Sequence, residues 1–150
     1  MKRMKVLMKT WAAPILIAIS MFCLFRFVLI LGYVPSGSME PTLKTGSLIL
    51  GLRFYPEPEA GDIAIFQYDG TLMVKRIAAV GGDQIEHNGA VITVPAGCYY
   101  MLGDNSSDSF DSRFWDDPFV SEGDIVARVL FAQKRNIAYR TESQLYSELS

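Results

Sequence analysis

Ser36 and Ser38 flank Gly37 between two prolines in the segment Val34-Pro35-Ser36-Gly37-Ser38-Met39-Glu40-Pro41-Thr42-Leu43. Proline fixes φ and glycine reaches conformations closed to other residues, so a serine here can be held on a rigid turn. The chemistry this suits is nucleophilic attack, which needs a base because a free hydroxyl is not ionised near neutral pH. His87 is the single histidine, and it precedes Asn88-Gly89, the strongest short hairpin signal in the chain. A turn-side position suits a Ser-His-Asp triad poorly. One histidine and no His-Glu-x-x-His pattern also supply too few ligands for a catalytic metal, so neither a metal nor another cofactor is expected. Lys75, set among the apolar and β-branched residues of 72–80, is the better base. On a half-buried strand it either points to solvent or is drawn inward. In the second case desolvation disfavours its charge and can lower its pKa by several units. A neutral amine could then take a proton from Ser38 and return it to a leaving amine.

These residues sit in a chain of 150, enough for one domain and an appended segment. Half of the residues are hydrophobic, which is high for a small soluble protein. Residues 1–35 hold five basic residues and no acidic one, whereas residues 36–150 hold nine basic and sixteen acidic residues, a net charge of −7. An acidic domain without a basic stripe argues against nucleic acid as a partner. Cys23 and Cys98 lie in different parts of the chain and repeat at no metal-ligand spacing, so both read as structural and no internal disulfide is expected.

Residues 12–31 form an apolar run interrupted only by Pro14, Ser20 and Arg26. A helix needs about 20 such residues to cross a bilayer core. Lys2, Arg3, Lys5 and Lys9 precede the run, which places the N-terminus in the cytoplasm and the residues beyond 33 outside it. Arg26 lies close enough to the outer end to snorkel to the headgroups. The run exceeds the usual apolar length of a cleavable signal and no Ala-x-Ala-like site follows it before Ser38, so it reads as a retained anchor. The expected organisation is a cytoplasmic N-terminus and anchor over 1–33, an extracytoplasmic β-rich domain over 34–135 and a polar tail over 136–150. Strands are expected at 47–50, 63–66, 71–80, 84–87, 90–94, 98–102 and 125–132, with residues 103–124 as a long polar loop. The fold class is mostly β and antiparallel, with one transmembrane helix.

Residues 34–43 closely resemble the serine box of bacterial type I signal peptidases, the Ser/Lys-dyad leader peptidase family. The resemblance continues through Gly61-Asp62-Ile63-Ala64-Ile65-Phe66, through Val74-Lys75-Arg76-Ile77 followed by Gly82-Asp83, and through residues 103–113 from Gly103-Asp104-Asn105 to Asp111-Ser112-Arg113. Four boxes in order over about residues 34–130 are highly specific. The family implies a coiled antiparallel β-sheet or barrel. It also implies Ser38 as nucleophile, Lys75 as general base, and Ser109 as the residue that orients the lysine amine. Ser36 and the Ser38 backbone N–H would form the oxyanion hole. Asp104 with Arg76, and Asp111 with Arg113, match charged positions of structural kind. Met39, Leu43, Met73 and Val74 would line shallow apolar pockets for substrate. Ser106 and Ser107 depart from the family's usual arginine and acid, and Asp116 replaces its usual glycine.

The function expected from this resemblance is a membrane-bound serine endopeptidase. It would remove signal peptides from exported preproteins after small, Ala-x-Ala-like residues. Its partners would be those preproteins and the lipid bilayer. Two alternatives are a peptidase with a narrow exported clientele and a catalytically inactive, membrane-tethered binding module. A self-cleaving repressor with the same dyad would need a DNA-binding segment, which an apolar span replaces here.

Overall fold

The computed structural model describes residues 2–130, with side chains from residue 11 onward. The expected end of the last strand beyond 130 and the polar tail lie outside the described residues. Helix α1, Lys2–Cys23, passes into a π-helical turn at Leu24–Val28, and strand β1, Leu29–Tyr33, follows with no intervening loop. The segment Trp11–Val28 is long and apolar enough to cross a membrane. Its last turn carries Arg26, whose guanidinium lies 5.5 Å from the Phe27 ring.

The sheet therefore begins inside the apolar run. Residues 29–33, expected in the anchor, pair antiparallel with β2, Leu48–Leu52, in the register Leu31↔Leu50 and Tyr33↔Leu48. The remaining strands are β3 (Ile63–Tyr68), β4 (Thr71–Val80), β5 (Gln84–His87), β6 (Ala90–Thr93), β7 (Cys98–Leu102), β8 (Phe119–Ser121) and β9 (Ile125–Val129). Seven form one antiparallel sheet in the order β1-β2-β9-β3-β4-β7-β8, and β5-β6 is a separate hairpin. Asn88 and Gly89, both at positive φ, make its turn. Strand β8 and the short 3₁₀ turn at Glu122–Asp124 occupy the end of what reads as loop.

Strand β3 shows why its apolar residues run consecutively rather than alternate. Ile63 and Ile65 pack on one side with Val34, Met39, Ile49 and Val129. Ala64 and Phe66 pack on the other with Ile77, Tyr99, Met101 and Trp115. A strand buried on both faces must be apolar throughout.

The same register places β4. Val74 lies opposite Ile65, while Met73 and Lys75 lie opposite Phe66 and Ala64. Directly opposed residues share a face, so Val74 packs against the first cluster and Met73 against the second, with Lys75 on the same face as Met73. Strand β7 pairs with β4 only from Arg76 onward. Residues 71–75 thus keep one unpaired edge, and β1 ends the sheet with another.

Candidate active site

Ser38 lies in a single 3₁₀ turn, Gly37–Met39, entered from extended Ser36 at φ −133 and ψ 162. Pro35 precedes that turn and a cis peptide joins Glu40 to Pro41 after it. Glu40 closes the following loop by accepting from the Thr45 N–H at 3.1 Å and from its hydroxyl at 2.8 Å. Asn105 holds the turn from outside: its backbone N–H donates to the Ser38 carbonyl at 3.0 Å and its side-chain amide donates to the Gly37 carbonyl at 3.1 Å. Asn105 falls within the motif at residues 103–113, but nothing in residue type alone marks it as the clamp on Ser38.

Lys75 resolves the sequence alternative in favour of the interior, with 6% of its surface exposed. Its amine donates to Ser109 Oγ at 3.0 Å, and Ser109 Oγ donates in turn to Asp111 Oδ2 at 2.6 Å. Asp111 also accepts from the Gly103 N–H at 2.9 Å and from the Arg113 guanidinium at 2.8 Å. Burial pushes the Lys75 amine below its ordinary 10.5, with Arg113 adding to the effect and Asp111 and Asp108 opposing it. Burial works against ionisation of Asp111, but hydrogen bonds from Arg113, Gly103 and Ser109 outweigh it and hold the carboxyl below its ordinary value. The unfolded chain binds the lysine proton more tightly than the folded one. Lys75 therefore makes stability rise with pH between its lowered value and 10.5.

A directed chain of hydrogen bonds follows. One lysine N–H is committed to Ser109, which leaves the lone pair of a neutral amine free to accept a proton from elsewhere. Ser38 and Lys75 both line one cleft of about 940 Å³, walled by residues 30–36, residues 71–75 and residues 107–110, with Phe114 beside them. Among the described residues no hydrogen bond joins Ser38 Oγ to Lys75 Nζ. The Ser36 hydroxyl instead donates to Ser38 Oγ at 3.3 Å. Catalytic hydrogen bonds commonly tighten only when a substrate is seated. Ser36 is exposed, so its hydroxyl is free to turn away from Ser38.

Arg76 and Asp104, expected as a supporting pair, form a bidentate contact at 2.7 Å in which the arginine is fully buried and a third bond reaches the Gly61 carbonyl at 2.6 Å. This ties the loop after β7 to the lysine strand, and breaking such a buried pair costs about 3–5 kcal/mol. Met39, Met73 and Val74 line the cleft. Leu43 does not. Its N–H bonds the Met39 carbonyl at 2.9 Å and its side chain is buried in the first core cluster, so it supports the floor from behind. His87 stands apart from the cleft, edge-on to the Tyr100 ring at 6.1 Å.

The charges around Lys75 give a test with a defined sign. Asp111→Asn removes a carboxylate that raises the lysine pKa and leaves Arg113, which lowers it. The expected outcome is a lower maximal rate, because Ser109 loses its charged acceptor, together with an acid limb of the pH–rate profile displaced to lower pH. A residue that only held the loop in place would change the rate without moving the limb.

The family model described as "Signal peptidase, peptidase S26" matches residues 8–94 and 87–133. Signal peptidase I of Pseudomonas aeruginosa is 26% identical over 58% of this chain and 55% of its own length. Probable signal peptidase I-2 of Synechocystis sp. is 30% identical over 71% of this chain and 63% of its own length. Thylakoidal processing peptidase 1, chloroplastic, of Arabidopsis thaliana is 31% identical over 65% of this chain and 40% of its own length. The chain spans about half the length of the first of these relatives.

Proposed function

The chain belongs to the signal peptidase family, peptidase S26, and from that membership we propose that it is a membrane-anchored endopeptidase that removes signal peptides from exported preproteins with a Ser38/Lys75 dyad. The observation that carries this reading is the burial of Lys75 on the wall that also holds Ser38, with its amine oriented by Ser109.

Neutral Lys75 accepts the Ser38 proton as Oγ attacks the carbonyl before the scissile bond. The resulting oxyanion is met by the Ser38 N–H and the Ser36 hydroxyl. Protonated Lys75 then gives its proton to the leaving amine, and water releases the acyl group by the same base in reverse. The extended substrate adds as a strand between the unpaired edges of β1 and of residues 71–74, as in other strand-addition complexes. The apolar floor of Val34, Ile49, Ile65 and Val74 suits small side chains.

The span Trp11–Val28 would anchor the chain, with the basic N-terminus in the cytoplasm and the sheet outside. Because β1 follows that helix without a loop, the cleft would lie at the bilayer surface where the apolar segment of a signal peptide emerges. Sharing a bilayer with the substrate raises the effective concentration of enzyme at the cleavage site.

Incubation of the full chain in lipid-containing micelles with a preprotein whose signal ends in Ala-x-Ala tests this. Cleavage after the second alanine, undiminished by EDTA, is expected; loss of activity in EDTA that added metal restores would contradict a base made of an amine. Ser36→Ala is expected to lower kcat by ~10²–10³-fold, the usual loss for one oxyanion donor. Single-turnover rates read that loss separately from any change in binding.

A further inference from the structure

Phe110 and Phe114 are 62% and 59% exposed although they border the cleft that holds Ser38 and Lys75. Their rings stack at 6.3 Å and 14°. Phe110 also meets Trp115 edge-on at 6.5 Å, and buried Trp115 stacks on Tyr68 at 3.9 Å. The pair is therefore a braced aromatic shelf.

Its position is set by the register of β4. Phe110 follows Ser109, the hydrogen-bond partner of Lys75, and Trp115 packs in the cluster that receives Met73. Through Trp115 the shelf is joined to the cluster on the face of β4 that carries Met73 and Lys75, opposite to the face that carries Val74 and the floor. Side chains of an added strand alternate between those two faces. The two alanines of an Ala-x-Ala end are two residues apart and share a face. The enclosed floor fits them, which turns x to the open shelf.

Resting on the peptidase reading above, we propose that Phe110 and Phe114 select the middle residue of the Ala-x-Ala end and favour a large apolar or aromatic side chain there. The occupant is the residue just before the final alanine of the signal peptide. An aromatic or branched side chain at x covers the two exposed rings and removes apolar surface from water on both partners, which glycine at x does not do.

The test uses the full-length protein in lipid-containing micelles and one preprotein varied only at x through Gly, Ala, Leu, Phe and Lys. Wild type is expected to cleave the Phe and Leu substrates with kcat/KM about 10-fold above the Gly substrate, a difference of about 1.4 kcal/mol. In Phe110→Ala that ratio should fall to near one. In Phe110→Glu the preference should turn toward Lys at x, a change that no loss of packing produces. Ratios within one preparation do not depend on how much of a variant is folded. Cleavage of the whole wild-type panel at one rate, or an unchanged ratio in both Phe110 variants, would overturn the shelf and leave the peptidase reading standing. Failure to cleave any member would overturn the peptidase reading and the shelf with it.

Discussion

Ser38→Ala and Lys75→Ala are each expected to reduce preprotein cleavage by on the order of 10⁶-fold, the loss seen when a serine hydrolase is deprived of its nucleophile or base. The two losses should not add, because either change removes the same proton-transfer step. Both variants should keep the fold. Ser38 is small and its backbone, not its hydroxyl, makes the contacts to Asn105. Removing Lys75 takes a costly buried amine out of the interior and leaves Ser109 bonded to Asp111. Far-ultraviolet circular dichroism and thermal unfolding check the fold, and cleavage of a purified preprotein checks the activity. Substantial activity in either variant would remove that residue from the chemistry.

Gly103→Ala is expected to be the most damaging change that touches no functional group. A Cβ built at Gly103 would collide with Ser109 Oγ, lie 2.5 Å from Ser109 Cβ and lie 2.5 Å from the Ser38 carbonyl oxygen. Position 103 is therefore the spacer between the turn that carries Ser38 and the serine that orients Lys75, and neither neighbour is the far end of a flexible chain. Relief of the clash must move the two apart. A displacement near 1 Å costs about 10²-fold in rate, and forcing a methyl into a packed interior costs about 1–3 kcal/mol in stability. Both effects should appear together in Gly103→Ala. Retained stability with full activity would show that the loop after β7 yields more than its hydrogen bonds suggest.

Lys75 is legible by type, because a serine needs a base and the chain offers one poor histidine and one lysine among apolar residues, whereas Ser38 as the nucleophile rests on the resemblance of residues 34–43 to the family's serine box. Periodicity leaves the direction of Lys75 open. What turns it inward is a long-range fact, the pairing of Lys75 with Ala64 on a strand buried on both faces. Strands β4 and β7 are legible to the residue since turn residues bound them on both sides. Strand β1 is not, because Leu29–Tyr33 continues the hydropathy of the preceding helix and only its partner β2 separates sheet from span. Strand β8 has three residues and carries too little pattern to stand out from a polar loop.

The smaller parts of the site follow the same logic. Arg76 with Asp104 and Arg113 with Asp111 are visible as charges in motifs, and the structure joins each pair. Asn105, Gly103 and the shelf of Phe110 and Phe114 depend on where the loop lies against the Ser38 turn, a relation between residues some 70 positions apart. Leu43 illustrates the converse: an apolar residue near the serine reads as substrate pocket until its N–H is seen to fold back on Met39 and bury the side chain.

Service of Ser38 by a neutral Lys75 should be visible in the dependence of kcat/KM on pH, measured in wild type and in His87→Gln. The free enzyme's essential base appears in that profile as an acid limb. Both proteins are predicted to show the same limb, rising with pH to a midpoint below the ordinary lysine value of 10.5. A limb that vanishes in His87→Gln, or a rate independent of pH throughout the lysine's lowered range, would contradict the dyad.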